Sequence, residues 1–367
     1  MNSMTGLPSH RPAGDGMTPW NDRLHDLEVI GVTDEAPQVK TFAFRADART
    51  WFRYSPGQFI TLELPAAAGP LMRTYTLSSS PSRPFSVAVT VKAQAASVGT
   101  RWMFDHLKPG DRLRAYGPAG AFSIDGHPAE KYLFVSAGSG ITPMMSMLRW
   151  MHDCAPSTDV ALVACARRPD EIIFRRELEL LGTRMPGLSL GFLVEERPRG
   201  ESWFAPVGRI DAARLPLLAP DFRDREVFCC GPEPFMGAVR AVLEATGFDM
   251  ARYHQESFGP PAAETPPAGA GAAAGAAGAE AALPVRFSVS GVDGRCPAGQ
   301  TVLQAARASG VRIAAACEMG LCGTCRVRKV GGEVEMAHKG GILDDDVADG
   351  YILACCSKPL SVLEIEA

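Results

Sequence analysis

The chain has 367 residues, 46% of them hydrophobic and 21% charged, with a net charge of −4. That length calls for two or three domains rather than one core; the near-balanced charge carries no nucleic-acid footprint, and no apolar run reaches the about 18 residues a membrane span needs. The first twenty residues lack the apolar core of a signal peptide and read as a disordered lead-in, so the ten cysteines are expected in a reducing cytoplasm, where clustered thiols point to metal or redox work before disulfides.

Residues 22–126 carry short β-forming runs: "LEVIGVTDE", "VKTFAFRA", "QFITLEL", "TYTLSS", "FSVAVTVKA" and "DRLRAYGPAGAF". Turn signals such as "SPGQ" and "KPGD" separate them, and the pattern predicts an antiparallel β-barrel. Within this region "VGTRWMFDHL" alone has helical spacing. Residues 127–258 change pattern. Apolar runs "KYLFVSA", "DVALVACA", "LSLGFLVEE" and "REVFCCG" alternate with the helix-like "MMSMLRWMHD", "DEIIFRRELELLG", "DAARLPLL" and "EPFMGAVRAVLEATG". Strand and helix in alternation predict an α/β domain with a doubly wound parallel sheet. Residues 259–283 are nearly all Ala, Gly and Pro and read as a linker, with a root-mean-square span of roughly 25–30 Å as a flexible coil. Residues 284–367 then form a small α+β module. In it "AGQTVLQAARASG" has helical spacing, with Thr301 as cap and Gly310 as stop, and "RVRKVGGEVEM" reads as two strands about a Gly-Gly turn.

Three loops of the α/β domain have the chemistry of a nucleotide site. "VSAGSGITPMM" joins the first strand to a helix; Gly138 and Gly140 allow close backbone approach, and the helix start offers free N–H groups to a pyrophosphate. Pro143 stands at the third glycine position, so the loop is not the G-x-G-x-x-G fingerprint, and an ordinary strand–helix turn stays open. "CCGPEPFM" follows another strand and should face the same crevice. Arg167 and Arg168 end a third strand, where arginines can hold an adenosine phosphate or simply be solvated.

"CEMGLCGTC" has the spacing C-x4-C-x2-C, with further cysteines well downstream, which is the plant-type [2Fe–2S] signature. Cys317, Cys322 and Cys325 would supply three thiolates, and Cys355 or Cys356 the fourth. A zinc site can also use four thiolates, but such sites pair two C-x2-C knuckles and one is present.

"RTYTLSSSP", "AGSGITPMM" and "CGPEPFM", in this order, resemble the ferredoxin-NADP reductase superfamily over residues 25–258, and the C-terminal module resembles the β-grasp ferredoxins. The resemblance implies that Arg73, Thr74, Tyr75 and Thr76 close a flavin site, with Thr90, Val91 and Lys92 along the ring, Val98, Gly99 and Thr100 at the diphosphate, and Phe258 beside the isoalloxazine. It implies a nicotinamide nucleotide held by Gly138, Ser139, Gly140, Thr142, Arg167, Arg168, Cys230, Gly231 and Pro232. Thr76, Thr142, Cys230 and Glu256 would surround the reacting centre, and the family ending "LAC" points to Cys355 as fourth cluster ligand. "AQAASVGT" departs from the usual phosphate-binding stretch and does not itself choose between FAD and FMN; the resemblance to FAD-dependent members with a C-terminal ferredoxin module implies FAD. The implied path runs from NADH or NADPH through the flavin and the cluster to a partner protein. That partner is expected to be a Rieske-type oxygenase, such as one demethylating glycine betaine, with a hybrid-cluster protein as the alternative acceptor. A non-catalytic electron carrier is the competing reading from another class.

Overall fold

In the computed structural model, the described residues are 18–20, 25–46, 50–65, 71–94, 97–200, 202–258, 282–311, 313, 315, 320, 323, 325–338, 342 and 344–367. The chain divides into two compact units, the second holding the C-terminal residues from 282 on, with residues 72–74 and 119–121 grouped with them; of the expected linker, residues 259–281 lie outside the described residues and Leu283 already belongs to a strand.

The first unit opens with β1 (Thr18–Trp20), β2 (His25–Ala36), β3 (Val39–Arg45), β4 (Thr50–Phe52), β5 (Phe59–Leu64), β6 (Leu71–Thr76) and β7 (Val87–Lys92). α1 (Val98–His106) and β8 (Arg112–Ala119) follow. Six strands form one sheet in the order β6-β5-β8-β2-β3-β7, and a bridge between Leu77 and Val89 ties its two ends together into a barrel. Alternate residues of the strands point inward. Leu27, Val29, Phe42, Phe44, Ile60, Leu62, Val87, Val89 and Val91 fill the interior. The one helix-like run expected here is α1, capped by Ser97 through the Thr100 amide.

The α/β part follows as β9 (Lys131–Ala137), α2 (Ile141–Cys154), β10 (Asp159–Ala166), α3 (Arg175–Arg184), β11 (Leu188–Val194), α4 (Arg214–Leu218), β12 (Glu226–Cys230), α5 (Glu233–Ala245) and β13 (Tyr253–Glu256). All pairings are parallel, in the order β11-β10-β9-β12-β13. The central strands are buried on both faces, which is why their sequences are continuous apolar runs. β13 was not expected as a strand: "YHQE" is polar, and it pairs at the sheet edge through its backbone.

The second unit contains β14 (Leu283–Phe287), β15 (Val292–Cys296), α6 (Val302–Ala308), β16 (Arg326–Gly331), β17 (Val334–Met336), α7 (Asp344–Ala348), β18 (Tyr351–Leu353), β19 (Ser357–Pro359) and β20 (Leu363–Glu366). Its main sheet runs β15-β14-β20-β16-β18, with α6 against it. Thr301 caps α6 in a reciprocal capping box with Gln304, and Gly310 follows its end at φ +75°, as the sequence predicts. The Gly-Gly stretch is not a hairpin turn. β16 pairs with β18 and β20, whereas β17 pairs with β19. Gly332 is required because a Cβ there would lie 2.1 Å from the Val362 carbonyl oxygen.

Candidate active site

Strand order reverses between β9 and β12, so the loops at their carboxyl ends flank the switch point at which open α/β sheets bind nucleotides. After β9, Gly138–Gly140 form a single 3-10 turn that leads into α2. Gly138 has φ +54° with open space around it. Gly140 must be glycine for a reason the sequence does not show: a Cβ there would sit 2.1 Å from the Cys230 carbonyl oxygen, where the two loops meet. Thr142 is buried and its hydroxyl donates to Ser139 O at 3.0 Å, closing the turn and leaving the α2 N-terminus without a side-chain cap. Gly231 packs against Ala137 and Phe235, and Pro232 stands at the start of α5. A small recess lies at the ends of β9 and β10, with Ser136, Gly138, Cys165, Glu171 and Ile172 in its lining.

The pairing of β12 with β13 sets Cys230 beside Glu256. Cys230 is fully buried, and burial followed by the Glu256 carboxyl keeps its thiol protonated. Glu256 Oε2 is shielded and has no hydrogen-bond partner, and burial pushes this carboxyl up to about 8. An acid of that kind is mainly protonated at pH 7 and can hold or pass a proton. Phe258, two residues on, is 48% exposed.

On the barrel side, the Arg73 side chain donates to its neighbour's carbonyl, Met72 O at 2.9 Å, and makes no ion pair among the described residues. Tyr75 packs on the barrel core, and Thr76 is buried at the end of β6 beyond Thr74. In β7, period-two alternation separates the three expected residues. Val91 points into the barrel core, so it offers a ligand only its backbone, whereas Thr90 and Lys92 face the other way. Thr90 Oγ1 lies 2.9 Å from Ser78 Oγ and 2.8 Å from Thr41 Oγ1, which in turn donates to Glu35. Lys92 pairs with Glu171 at 3.3 Å. Val98, Gly99 and Thr100 form the first turn of α1; Val98 is exposed and Gly99 buried.

Sequence reasoning missed the groups that brace this crevice. Arg149 of α2 donates to Ser78 O at 2.5 Å and grips Glu177 with two further hydrogen bonds. Ser146 donates to Ser79 O at 2.7 Å. Both bonds fix the segment after β6 against the α/β part. Their only sequence signal is two polar residues in the otherwise apolar "MMSMLRWM". Glu196 was missed too: Arg168 donates to it at 2.7 Å, its amide donates to Arg167 O at 2.9 Å, and Arg209 similarly pairs with Glu195.

In the second unit, the Gly320 amide donates to Cys355 Sγ at 3.3 Å and the Cys355 amide to Cys325 Sγ at 3.4 Å, both in buried surroundings. Gly320 and Gly323 have φ of +73° and +70°, the left-handed turns that aim amides at sulfur. Buried sulfurs that accept amide hydrogen bonds fit a thiolate-held cluster. Cys317 and Cys322 lie outside the described residues. Residues 354–356 form a turn, so Cys355 and Cys356 do not alternate as an extended strand would. A Cβ on Gly320 would lie 2.9 Å from Cys356 Sγ, and Cys355 rather than Cys356 receives the loop's amide.

A barrel, a nucleotide-binding sheet and a ferredoxin-like module together define a modular electron-transfer flavoprotein. Three domain models match: an oxidoreductase FAD-binding domain over residues 26–124, an oxidoreductase NAD-binding domain over 134–241 and a 2Fe-2S iron-sulfur cluster binding domain over 288–360. The chain is 52% identical to the stachydrine N-demethylase reductase subunit of Rhizobium meliloti, over 95% of this chain and 98% of that protein. It is 44% identical to the glycine betaine monooxygenase reductase subunit of Pseudomonas aeruginosa, over 93% and 94%. The phthalate dioxygenase reductase structure shares the fold with a TM-score of 0.58 at 23% identity, over 94% of this chain and 98% of that one. The chain belongs to the ferredoxin-NADP reductase superfamily, among the members that carry a C-terminal plant-type [2Fe–2S] ferredoxin domain. It is an NAD(P)H-dependent reductase that uses FAD and a [2Fe–2S] cluster to deliver electrons to a partner protein, which sets aside the carrier-only and zinc readings. No helix among the described residues is long and apolar enough to cross a membrane.

Proposed function

We propose that this chain is the reductase component of a Rieske-type oxygenase that N-demethylates a betaine, and that it works in the cytoplasm. The observation that carries this reading is its near-full-length identity, 52% and 44%, to reductase subunits named for stachydrine demethylation and glycine betaine oxygenation. A hybrid-cluster acceptor has no such support at comparable identity.

In this reading Arg73 and the first turn of α1 at Val98, Gly99 and Thr100 hold the flavin diphosphate, and Thr74, Tyr75, Thr76, Thr90, Lys92 and Phe258 border the ring. Gly138, Ser139 and the start of α2 take the dinucleotide phosphates. Thr142, Cys230, Gly231 and Pro232 orient the nicotinamide, and Glu256 holds a proton beside it. Bound FAD supplies the conversion from a two-electron hydride to single electrons. Cys317, Cys322, Cys325 and Cys355 hold the cluster from which those electrons leave.

NADH is the favoured donor. Arg167 and Arg168 stand where an adenosine 2′-phosphate would bind, but Arg168 is already paired with Glu196 at 2.7 Å, and a phosphate would have to displace a carboxylate of like charge. The test is reconstitution. The purified holoenzyme, NADH, dioxygen and a betaine-demethylating Rieske-type oxygenase should release formaldehyde from a betaine. Rapid ferricyanide reduction with no betaine turnover by that oxygenase would refute the assignment. Cell fractionation tests the location.

A further inference from the structure

Three ligand-type side chains meet at the amino-terminal edge of the parallel sheet, opposite the nucleotide loops. Glu226 opens β12, His254 is the second residue of β13, and His127 lies just before β9. About 13 Å of strand separates Glu226 from Cys230. One ligand atom from each of the three lies within 4.8 Å of the others. His254 Nε2 is 2.6 Å from Glu226 Oε1, and the His127 ring stacks on His254 with centroids 3.6 Å apart at 26°. Phe228 forms their floor, 5.0 Å from His254 and 5.9 Å from His127, so both rings are held in place by packing. The His127 ring nitrogens make no hydrogen bond among the described residues. Nothing in the electron path uses this cluster.

The ordinary alternative is an ion-pair network, because Arg252 also reaches Glu226, at 3.4 Å. Arg252 is not dependent on that contact: it donates to Arg223 O at 3.1 Å and Asp224 O at 2.6 Å and would stay partnered without it. Glu226 is therefore free to exchange a cationic guanidinium for a metal cation. Two imidazoles and one carboxylate, with water in the fourth place, are a three-protein-ligand zinc set. In the stacked arrangement the two ring planes do not converge on one point, so ligation at about 2.0–2.2 Å by both imidazoles requires one ring to turn out of the stack.

We propose that His127, Glu226 and His254 form a Zn²⁺ site. A bound ion would clamp the first residues of β12 and β13 to the connection that leads out of the barrel, and so would steady the strand whose other end carries Glu256. The experiment uses the full chain with FAD and cluster in place, washed with chelator until zinc is gone while the visible spectrum is unchanged. Calorimetric titration with zinc sulfate should show one site that weakens at least tenfold in Glu226→Gln and in His254→Ala. Zinc should also raise the thermal midpoint of the wild type but not of the variants. Uptake by the exposed Cys154 is common to all of them, so only the difference counts. Equal zinc stoichiometry and affinity in wild type and variants would overturn the proposal. Should a strand variant lose its flavin or cluster colour, His127→Gln, on a connecting segment, decides by the same comparison.

Discussion

Replacing Glu256 by glutamine removes an ionisation that burial makes costly. Its carboxyl is pushed up to about 8 from an ordinary 4.5 because Oε2 is shielded and has no hydrogen-bond partner. The folded chain thus holds this proton more tightly than the unfolded chain. The stability it brings is complete below pH 4.5 and is lost as pH rises through about 8. At about 1.4 kcal/mol per pH unit, the loss is on the order of 3 kcal/mol at pH 7, approaches roughly 5 kcal/mol near pH 8 and is constant above. Glutamine keeps the shape without the charge, so the gap in stability between wild type and variant should change by several kcal/mol between pH 5 and pH 9, in favour of the variant at high pH. Whatever the buried amide costs is the same at every pH and does not affect that slope. The assay is urea unfolding of the FAD-loaded, nucleotide-free proteins, followed by flavin fluorescence. The same ionisation should appear in NADH-driven ferricyanide reduction as an alkaline limb near pH 8 that Glu256→Gln lacks. A stability gap that is the same at pH 5 and pH 9 would refute the argument.

Cys355→Ser should abolish the cluster's visible absorbance and iron content while leaving NADH reduction of the flavin intact. Cys356→Ser should keep the cluster, because the Gly320 amide is aimed at Cys355. Glu196→Gln should release Arg168 and lower the NADH-to-NADPH ratio of kcat/KM about tenfold in parallel steady-state assays. Gly140→Ala puts a methyl group 2.1 Å from the Cys230 carbonyl, so the two loops must separate. A thermal scan should show a loss of about 1–3 kcal/mol, and KM for NADH should rise.

How much of this molecule could be read from its residues depended on how local the cause was. The strands β9, β10 and β12 are buried on both faces, and a buried strand must be apolar along its whole length, so "KYLFVSA" and its counterparts are visible without any partner. The Thr301–Gln304 box is equally self-contained, since both halves of the cap lie within one turn. β13 was invisible because what makes it a strand is the edge of β12, 26 residues away in register from Val227 to Tyr253 and onward, and its own side chains are polar. For Val91 the period of the strand turns the side chain into the barrel core and leaves its backbone to face a ligand. A motif read as consecutive residues ignores that neighbours in a strand face opposite ways, and only Thr90 and Lys92 share the outward face.

The same distinction explains why Arg149, Ser146, Glu171 and Glu196 escaped notice. Each acts by reaching a partner far along the chain: Arg149 to Ser78, Ser146 to Ser79, Glu171 to Lys92 and Glu196 to Arg168. None has a distinctive neighbourhood in sequence, and each is ordinary until the fold brings its partner near. In the proposed assignment motif residues such as Arg73 and Gly138 meet a cofactor, whereas these residues hold the segments that carry them at a fixed separation. Hydride transfer depends on that separation to within fractions of an ångström. The bracing residues therefore govern rate as directly as the motif residues govern binding, and substitutions at Arg149 should affect kcat in preference to the KM for NADH.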